Sequence, residues 1–488
     1  MKNQILNHFL LLIGTFWYIF LFTHEILGIN VLLFAIPMVG ISIYKQPEIL
    51  HTPFGLMITI GTLLTAIIIP LNGSDVAATL HVFSFLIFVG LAQVRTLRFI
   101  WYALVLGLSS IVTSPIAYVK NQANLLPENW SRLFKNIQLL IIPFVVLFVF
   151  FFIYAVAFPQ IGGFIDSFFE FLESLINRID STELVVRFIL GILIMGGLFI
   201  KNPLSDFVKE RVSRFQLNIN RKKKSSFKLF SINAISLKRE YYTAVLTLAM
   251  LNGLLLLVNI LNYSNLFVRS MDWTIGELSD FVHYQTYVLL FGISLSILVL
   301  LFFFRRNLNF YPNNEKLRWL ANAWIFQNGL LTLLTIIRVF QYIDHGGLAF
   351  QRFWLMIFLI LTSIGLITMY IKIKDQKSIF YLFVTNGWAW YMVFFIVSCF
   401  NLNIVFTKFN LQHNQEQPVD LFFLSYDVGK DNLYLLQKNK DLILKRNGDQ
   451  AAIQLEEAIN SKRRRNDRLY EDRSWKSWSR MMMKNYDR

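Results

Sequence analysis

The chain has little of what a soluble or secreted enzyme carries. Only 16% of its 488 residues are charged, and it has one cysteine, Cys399. A soluble globular chain carries about 25% charged residues, so the composition argues against a soluble domain. A single cysteine excludes an internal disulfide and a zinc site built from cysteines. P-loop, dinucleotide-binding and nucleophile-elbow patterns are also missing from the sequence.

What the chain has in abundance is apolar residues. They make up 55% of the sequence, Phe alone accounts for 48 positions, and the mean hydropathy is +0.51. Uninterrupted apolar runs recur along the chain, and about twenty such residues span a hydrocarbon core of about 30 Å as a helix. The sequence therefore predicts an all-α fold, a polytopic transmembrane bundle.

Twelve stretches have the length and composition of a membrane span. The first has no small-residue cleavage site and another apolar run follows it at once, so we expect a retained helix and not a signal peptide. The predicted spans are 5–22, 26–44, 54–72, 77–95, 98–119, 137–158, 184–201, 241–262, 282–304, 318–340, 353–373 and 378–399.

The spans divide the chain into four predicted regions. These are transmembrane helices over 1–200, a basic loop over 201–238, further transmembrane helices over 239–400 and a polar tail over 401–488. Within the first region, apolar residues of 163–180 recur at helical spacing with carboxylates on another face. That pattern is typical of an amphipathic helix lying in the membrane interface.

The distribution of charge predicts which loops face the cytoplasm. The net charge is +16, which in a soluble protein would suggest nucleic acid, but here favours loops held against anionic headgroups. Residues 201–240 contain eleven Lys/Arg and three Asp/Glu, so this loop is predicted to be cytoplasmic. Five predicted spans then place the tail outside. Seven spans before the loop would also place the N-terminus outside, which conflicts with Lys2.

The tail differs in character from the spans. It has sixteen Lys/Arg and twelve Asp/Glu, and 449–473 has the pattern of a helix. Trp475 and Trp478 lie among basic residues, a combination typical of membrane interfaces. We expect a small, polar, partly helical C-terminal domain.

The second half resembles a known family. The stretches "LKREYYTAVLTLAMLNGLLLLVNILN" (237–262) and "FVHYQTYVLLFGISLSILVLLFFFRRNLNFYPNN" (281–314) are similar to bacterial membrane proteins of domain-of-unknown-function family 4173. The similarity continues through "WIFQNGLLTLLTIIRVFQYIDHGGLAFQRFW" and "GLITMYIKIKDQKSIFYLFVTNGWAWY", and covers about 230–430. It implies a bacterial inner-membrane protein and supplies no catalytic residues.

The connection after the tenth span is the first candidate site. Arg338 comes late in that span, Gly346 and Gly347 predict a turn, and Arg352 opens the next span. Two arginines on either side of Asp344 would form a cluster that could bind an anion through bidentate hydrogen bonds. The alternative is that both arginines reach outer headgroups and Asp344 pairs with one of them. The candidate polar cluster comprises Arg338, Tyr342, Asp344, His345, Arg352 and His283.

His283 adds two further hypotheses. If it lies near His345 and Asp344, the three could form a proton relay or supply the minimum of three metal ligands. No metal-binding spacing supports the second, so we predict neither a metal nor a cofactor.

A second cluster gathers on the predicted cytoplasmic side. It could dock a regulator or a lipid headgroup, or it could simply anchor the loops by their positive charge. The basic patch comprises Arg221, Lys222, Lys223, Lys224, Lys238, Arg239, Arg305 and Arg306.

Three functions compete on these observations. We favour a non-enzymatic module for sensing, regulation or assembly, because carboxylates deep in the spans are nearly missing and catalytic motifs are lacking. A transporter or flippase-like carrier using the outer cluster comes second, and a membrane enzyme acting on a lipid-linked substrate, with His283 and Asp344 as acid and base, comes third. The expected partners are anionic lipids and a membrane or cytoplasmic protein, with no nucleic acid.

Overall fold

The computed structural model is all-helical throughout its described residues, as the sequence predicts. The structure describes residues 2–123, 182–213, 237–264, 267, 286–304, 307–311, 314–413, 417–448, 450–471 and 473–486. The predicted sixth span (137–158) and interfacial helix (163–180) lie outside these residues.

The first part of the chain forms a group of long antiparallel helices. Their ends follow local signals: the Thr52 side chain accepts a hydrogen bond from Gly55 N, the Ser74 side chain accepts one from Ala77 N, and Gly73 takes a left-handed conformation with φ 60°. The helices are α1 (Lys2–Phe22), α2 (Ile29–Lys45), α3 (Pro53–Asn72), α4 (Asp75–Gln93), α5 (Ile100–Ala123), α6 (Thr182–Phe199) and the short α7 (Ser205–Ser213).

The second part has five more long helices. They are α8 (Leu237–Ser264), α9 (Thr286–Phe303), α10 (Glu315–Gly346), α11 (Phe350–Lys374) and α12 (Ile379–Ser398). The predicted tenth span ends at 340, but α10 continues to Gly346, because Tyr342 and Ile343 are still buried and no helix breaker precedes the glycine pair.

The predicted fold class is confirmed. Eleven of the twelve predicted spans fall on described residues, and each coincides with a helix. Seven of the described helices are long and apolar enough to cross a membrane, and shorter apolar stretches occur at Leu6–Phe22, Ile29–Lys45 and Phe291–Phe303. The protein is therefore a multi-pass membrane protein.

The helix ends gather at two faces of the bundle. At one, which we call the tail face, Asn401 Nδ2 donates to Asn72 O at 2.9 Å. At the other, the basic face, Gln93 Nε2 donates to Ile200 O at 2.7 Å. The tail face comprises residues 23–28, 73–74, 347–349 and 399–401, and the basic face comprises 46–52, 94–99, 200–204 and 375–378.

Contacts at both ends of α1 place the start of the chain at the basic face. Lys45 Nζ, at the end of α2, donates to Asn7 Oδ1 at 2.6 Å, and His24 N donates to Glu183 Oε1 at 2.8 Å. Helix α1 therefore begins at the face where α6 ends.

Two apolar cores share helix α12. One core packs residues of α1–α6, and the other packs residues of α8–α12. Tyr391 of α12 is 1% exposed within the first core, where its hydroxyl lies 2.9 Å from Ser84 Oγ. Leu382, two to three turns earlier, belongs to the second core. Helix α12 therefore joins the two halves.

The tail folds against the tail face. A third core combines its leucines and Phe406 with Ile357 of α11 and Val397 of α12. Buried Lys462 closes the tail fold by donating to Val428 O (2.6 Å) and Gly429 O (3.2 Å). The tail helices are α13 (Leu402–Gln412), α14 (Leu433–Lys438), α15 (Lys440–Asn447), α16 (Ala451–Tyr470) and α17 (Arg480–Tyr486).

Candidate functional site at the tail face

The hairpin between α10 and α11 is a three-residue turn held by the tail. Gly347 adopts φ 73° and ψ −177°, a combination open almost only to glycine. The next residue, Leu348, is clamped by Asn410 of α13: Leu348 N donates to Asn410 Oδ1 at 2.7 Å, and Asn410 Nδ2 donates to Leu348 O at 2.9 Å. One tail side chain therefore satisfies both backbone groups at the tip of the hairpin.

His413 makes a second connection from the tail to the end of α10. Its Nε2 lies 2.9 Å from the Asp344 carbonyl oxygen and 3.5 Å from Asp344 Oδ1. Because the carbonyl can only accept, Nε2 carries the hydrogen. The imidazole is stacked on Phe409, with ring centroids 4.9 Å apart, which fixes its orientation.

Arg352 folds back over the hairpin. Its guanidinium lies 3.7 Å from the centroid of the Tyr342 ring and Nη1 donates to Gly347 O. A Cβ at Gly346 would lie 2.8 Å from the same Nη1, so the absence of a side chain there makes room for the guanidinium. The guanidinium is held in one orientation, because it stacks on the Tyr342 ring and donates to the Gly347 carbonyl.

Arg338 lies one turn before Tyr342 on the same buried face of α10. It is 1% exposed, and Nη2 lies 3.5 Å from Asn262 O of α8. Amides deeper in the bundle also join these two helices: Gln327 Nε2 donates to Asn252 Oδ1 at 2.8 Å, and Asn259 Nδ2 donates to Gln327 O at 3.1 Å. Such bonds are the usual interhelical contacts of membrane bundles.

A cavity of about 490 Å³ opens where the hairpin meets the tail. Its lining combines apolar residues with charged and polar side chains from both the hairpin and the tail. The Arg446 guanidinium donates hydrogen bonds to three carbonyl oxygens of the tail, those of Leu411, His413 and Gln417. We call this cavity the hairpin pocket, and the polar residues of its lining are His345, Arg352, Asn410, His413, Gln417, Asp420 and Arg446.

The structure rearranges the predicted cluster. Tyr342, Arg352 and Arg338 belong to the buried side of the hairpin, whereas Asp344 has a side chain 71% exposed and faces His413. His345 is exposed too, and its Nδ1 lies 2.8 Å from Gln341 O. Since residues 338 and 344 are six apart in an α-helix, they lie on different sides and about 9 Å apart along the axis.

Several predicted residues lie outside the described part of the chain. Of the basic patch, Lys238 and Arg239 are described and are exposed at the start of α8. Within the described residues, no group of three His, Cys, Asp or Glu side chains is arranged to hold a metal ion. The predicted residues that lie outside the description are His283, Arg221, Lys222, Lys223, Lys224, Arg305 and Arg306.

Sequence reasoning missed the tail's half of the pocket. Asn410 and His413 are three residues apart, a spacing that places two side chains on one side of a helix, and both lie in the polar tail that follows the last predicted span. That polar pair was the available signal. Arg446 offered no such signal, because its role depends on the end of α13, more than thirty residues earlier.

The C-terminal segment makes another contact that the sequence did not reveal. Ser474 and Ser477 hydroxyls donate to the Glu25 carboxylate, and Lys476 Nζ lies 3.3 Å from Glu25 Oε1. Although burial by itself raises the pKa of Glu25, these donors hold that pKa below its ordinary value. The carboxylate therefore stays ionised and ties the tail to the α1–α2 loop.

A buried histidine in the first half was also overlooked. His81 of α4 is 7% exposed, and its Nδ1 lies 3.1 Å from Thr65 Oγ1 and 3.2 Å from Thr62 O of α3. An ionisable group within a span is a candidate functional residue by default. These contacts give it a structural role between α3 and α4.

Comparison with known proteins identifies the family. A family model described as Domain of unknown function (DUF4153) matches residues 55–438, whereas no curated protein and no solved structure matches the chain. The expected family 4173 is thereby corrected, although both are domains of unknown function. Apolar spans resemble one another in composition, so they distinguish families poorly. Since the match covers most of the chain, this multi-pass membrane protein belongs to the DUF4153 family.

Proposed function

We propose that the protein is a non-enzymatic membrane module that senses a small anionic ligand in the hairpin pocket. The observation that carries this proposal is that the pocket is shared: α10 and α11 supply one wall and the tail supplies the other. A ligand that touches both walls binds the docked arrangement better than an undocked one. It therefore stabilises docking by RT ln(1 + [L]/Kd).

The ligand class follows from the lining. Arg352 and Arg446 outweigh Asp420 in charge, and the guanidinium of Arg352 is oriented by Tyr342. A guanidinium recognises carboxylate and phosphate groups through paired hydrogen bonds. The cavity volume suits a small organic molecule, so we favour a compact carboxylate or phosphate compound with some apolar surface.

The same lining favours binding over the rival functions. The described lining offers guanidinium, imidazole and amide hydrogen-bond donors, which suit the binding of an anion. On α10 and α11 the lining is confined to His345 and later residues, up to Arg352 in the first turn of α11. The pocket thus belongs to the end of the bundle, whereas a carrier needs a polar site near the midplane.

Ligand binding is testable on the full chain in detergent or nanodiscs. We expect inorganic phosphate, acetate or succinate to raise the Tm by a few degrees and to slow tryptic release of the tail. Arg352→Gln should abolish both effects, because the oriented guanidinium is lost. Lys438→Gln, which removes an exposed tail charge outside the pocket, should leave both intact.

Two results would overturn the proposal. One is a wild-type protein whose Tm none of the three anions raises. The other is an Arg352→Gln protein that responds to the anion as the wild type does.

The sidedness that we propose puts the basic face in the cytoplasm of a bacterial cell and the hairpin pocket outside its inner membrane. Basic residues lie at the basic-face ends of three helices and in the loop after α6, where they would meet anionic headgroups and a regulatory protein partner. They are Lys45, Lys238 and Lys374 at helix ends and Lys201 in the loop. The tail carries its own basic residues, but it is a folded domain, to which the loop rule does not apply.

Cysteine accessibility tests this sidedness. In a Cys399→Ser background, we expect Lys440→Cys to react with an impermeant maleimide in intact spheroplasts. Lys224→Cys should react only after permeabilisation. Labelling of both positions from one side would contradict the proposed orientation.

A further inference from the structure

An apolar groove runs along the seam between the described parts of the two halves. Its volume is about 350 Å³, and its walls come from α5, α9, α11 and α12. Trp101 and Trp390 form the wall on the side of the first core, with ring centroids 5.5 Å apart. Ile297 and Leu301 of α9 form the opposite wall. The groove thus separates the two cores in the region where only α12 belongs to both.

The lining is mainly hydrocarbon and aromatic side chains. The one amide in the groove, Asn386, has its Nδ2 donating to Leu382 O at 3.0 Å and its Oδ1 accepting from Thr368 Oγ1 at 3.2 Å. A groove of this composition within a membrane is suited to an acyl chain, because it offers dispersion contacts that a polar ligand cannot use.

The groove ends at the basic face, beside exposed cations. Trp101 and Ile379 lie in the first turns of α5 and α12. Phe99, just before α5, contacts Phe380 in the first turn of α12, with ring centroids 3.6 Å apart. Arg98 in the first loop and Lys374 at the end of α11 are exposed. Both cations thus lie at or next to the basic face, the face at which the groove ends.

We propose that the groove is a specific site for an anionic phospholipid. One acyl chain fills the seam between Trp101, Trp390 and Leu301, and the phosphate and anionic headgroup are held by Arg98 and Lys374. The lipid supplies packing in a groove that the described residues of the two halves leave open. This site is independent of the hairpin pocket, which lies at the opposite face.

Native mass spectrometry after purification in mild detergent tests the acyl-chain site. From membranes of equal phosphatidylglycerol and phosphatidylethanolamine, we expect the wild type to retain one phosphatidylglycerol. Ala389→Phe places a ring in the groove and should lower the retained fraction at least fivefold. Its fold should survive, because the ring occupies the space of the chain; a Tm within a few degrees of the wild type checks this. The matched control is Gly329→Phe, which fills a second apolar depression, on α10, where a Cβ meets nothing within 4 Å.

A second variant tests the role of Arg98 and Lys374 in binding the headgroup. The double variant Arg98→Gln with Lys374→Gln should still retain a phospholipid but lose the preference for phosphatidylglycerol. The proposal is overturned if folded Ala389→Phe retains as much lipid as Gly329→Phe. It is also overturned if the wild type retains phosphatidylethanolamine as readily as phosphatidylglycerol, or if the double variant keeps its preference.

Discussion

Replacing Gly347 with alanine releases the tail from the hairpin. The native φ of 73° with ψ of −177° lies in a region that costs a residue with a Cβ about 1–3 kcal/mol. The added Cβ would also lie 2.7 Å from Asn410 Oδ1, the atom that accepts from Leu348 N. The backbone strain and the clash with Asn410 both destabilise the docked hairpin. The hydrogen bonds between Asn410 and Leu348 therefore have to break.

The measurement is tryptic release of the tail, combined with hydrogen exchange at the Leu348 amide. We expect both rates to rise at least tenfold in Gly347→Ala, while the transmembrane helices stay protected. Gly329→Ala is the control, since its Cβ meets nothing within 4 Å and alanine favours an interior helix position by up to about 1 kcal/mol. Equal rates in Gly347→Ala and wild type would show that Asn410 does not hold the tail.

Alanine at Gly90 prevents normal assembly of the first half. Helices α4 and α5 cross with their backbones in contact: a Cβ at Gly90 would lie 1.9 Å from Ala103 O, and a Cβ at Gly107 would lie 1.9 Å from Leu86 O. Small residues permit such crossings in membranes. A methyl group would force the helices apart and disrupt packing around fully buried Phe88. We expect a loss of about 3 kcal/mol or more, the upper range for overpacked cores.

The yield of monodisperse protein and its Tm report on this change. Gly40→Ala in α2 is the matched control, because it adds the same methyl group to a helix of the same half at a position with nothing within 4 Å. Gly90→Ala should give mostly aggregated protein, whereas Gly40→Ala should purify as the wild type does. A normal yield and Tm for Gly90→Ala would mean that the two helices can separate at little cost.

The sequence predicted the positions of the helices better than it predicted the contacts between them. Each span is a local property, because about twenty apolar residues suffice to place a helix in a bilayer. The end of α10 was set six residues early, since hydropathy falls at Gln341 and Asp344 while alternate positions such as Tyr342 remain buried. Charged residues that are close in the sequence predict a site poorly, because they need not lie on the same side of a helix.

The hairpin illustrates that limit most clearly. Arg338, Asp344 and Arg352 are close in the chain, and proximity alone suggested one cluster. The helical rotation between 338 and 344 separates them, and the tail then supplies His413 to Asp344 and Asn410 to Leu348. Both partners lie more than sixty residues away, so no local pattern could have assigned them.

By itself, the sequence determined that this is a polytopic helical membrane protein and where most of its helices run. It did so because burial in lipid is decided by the composition of each segment. Only the tertiary structure decided that the tail docks on the hairpin, that a pocket opens between them and that an apolar groove separates the two halves. Those features depend on how helices pack and which side chains meet across the bundle, and packing depends on shape complementarity between segments distant in the chain.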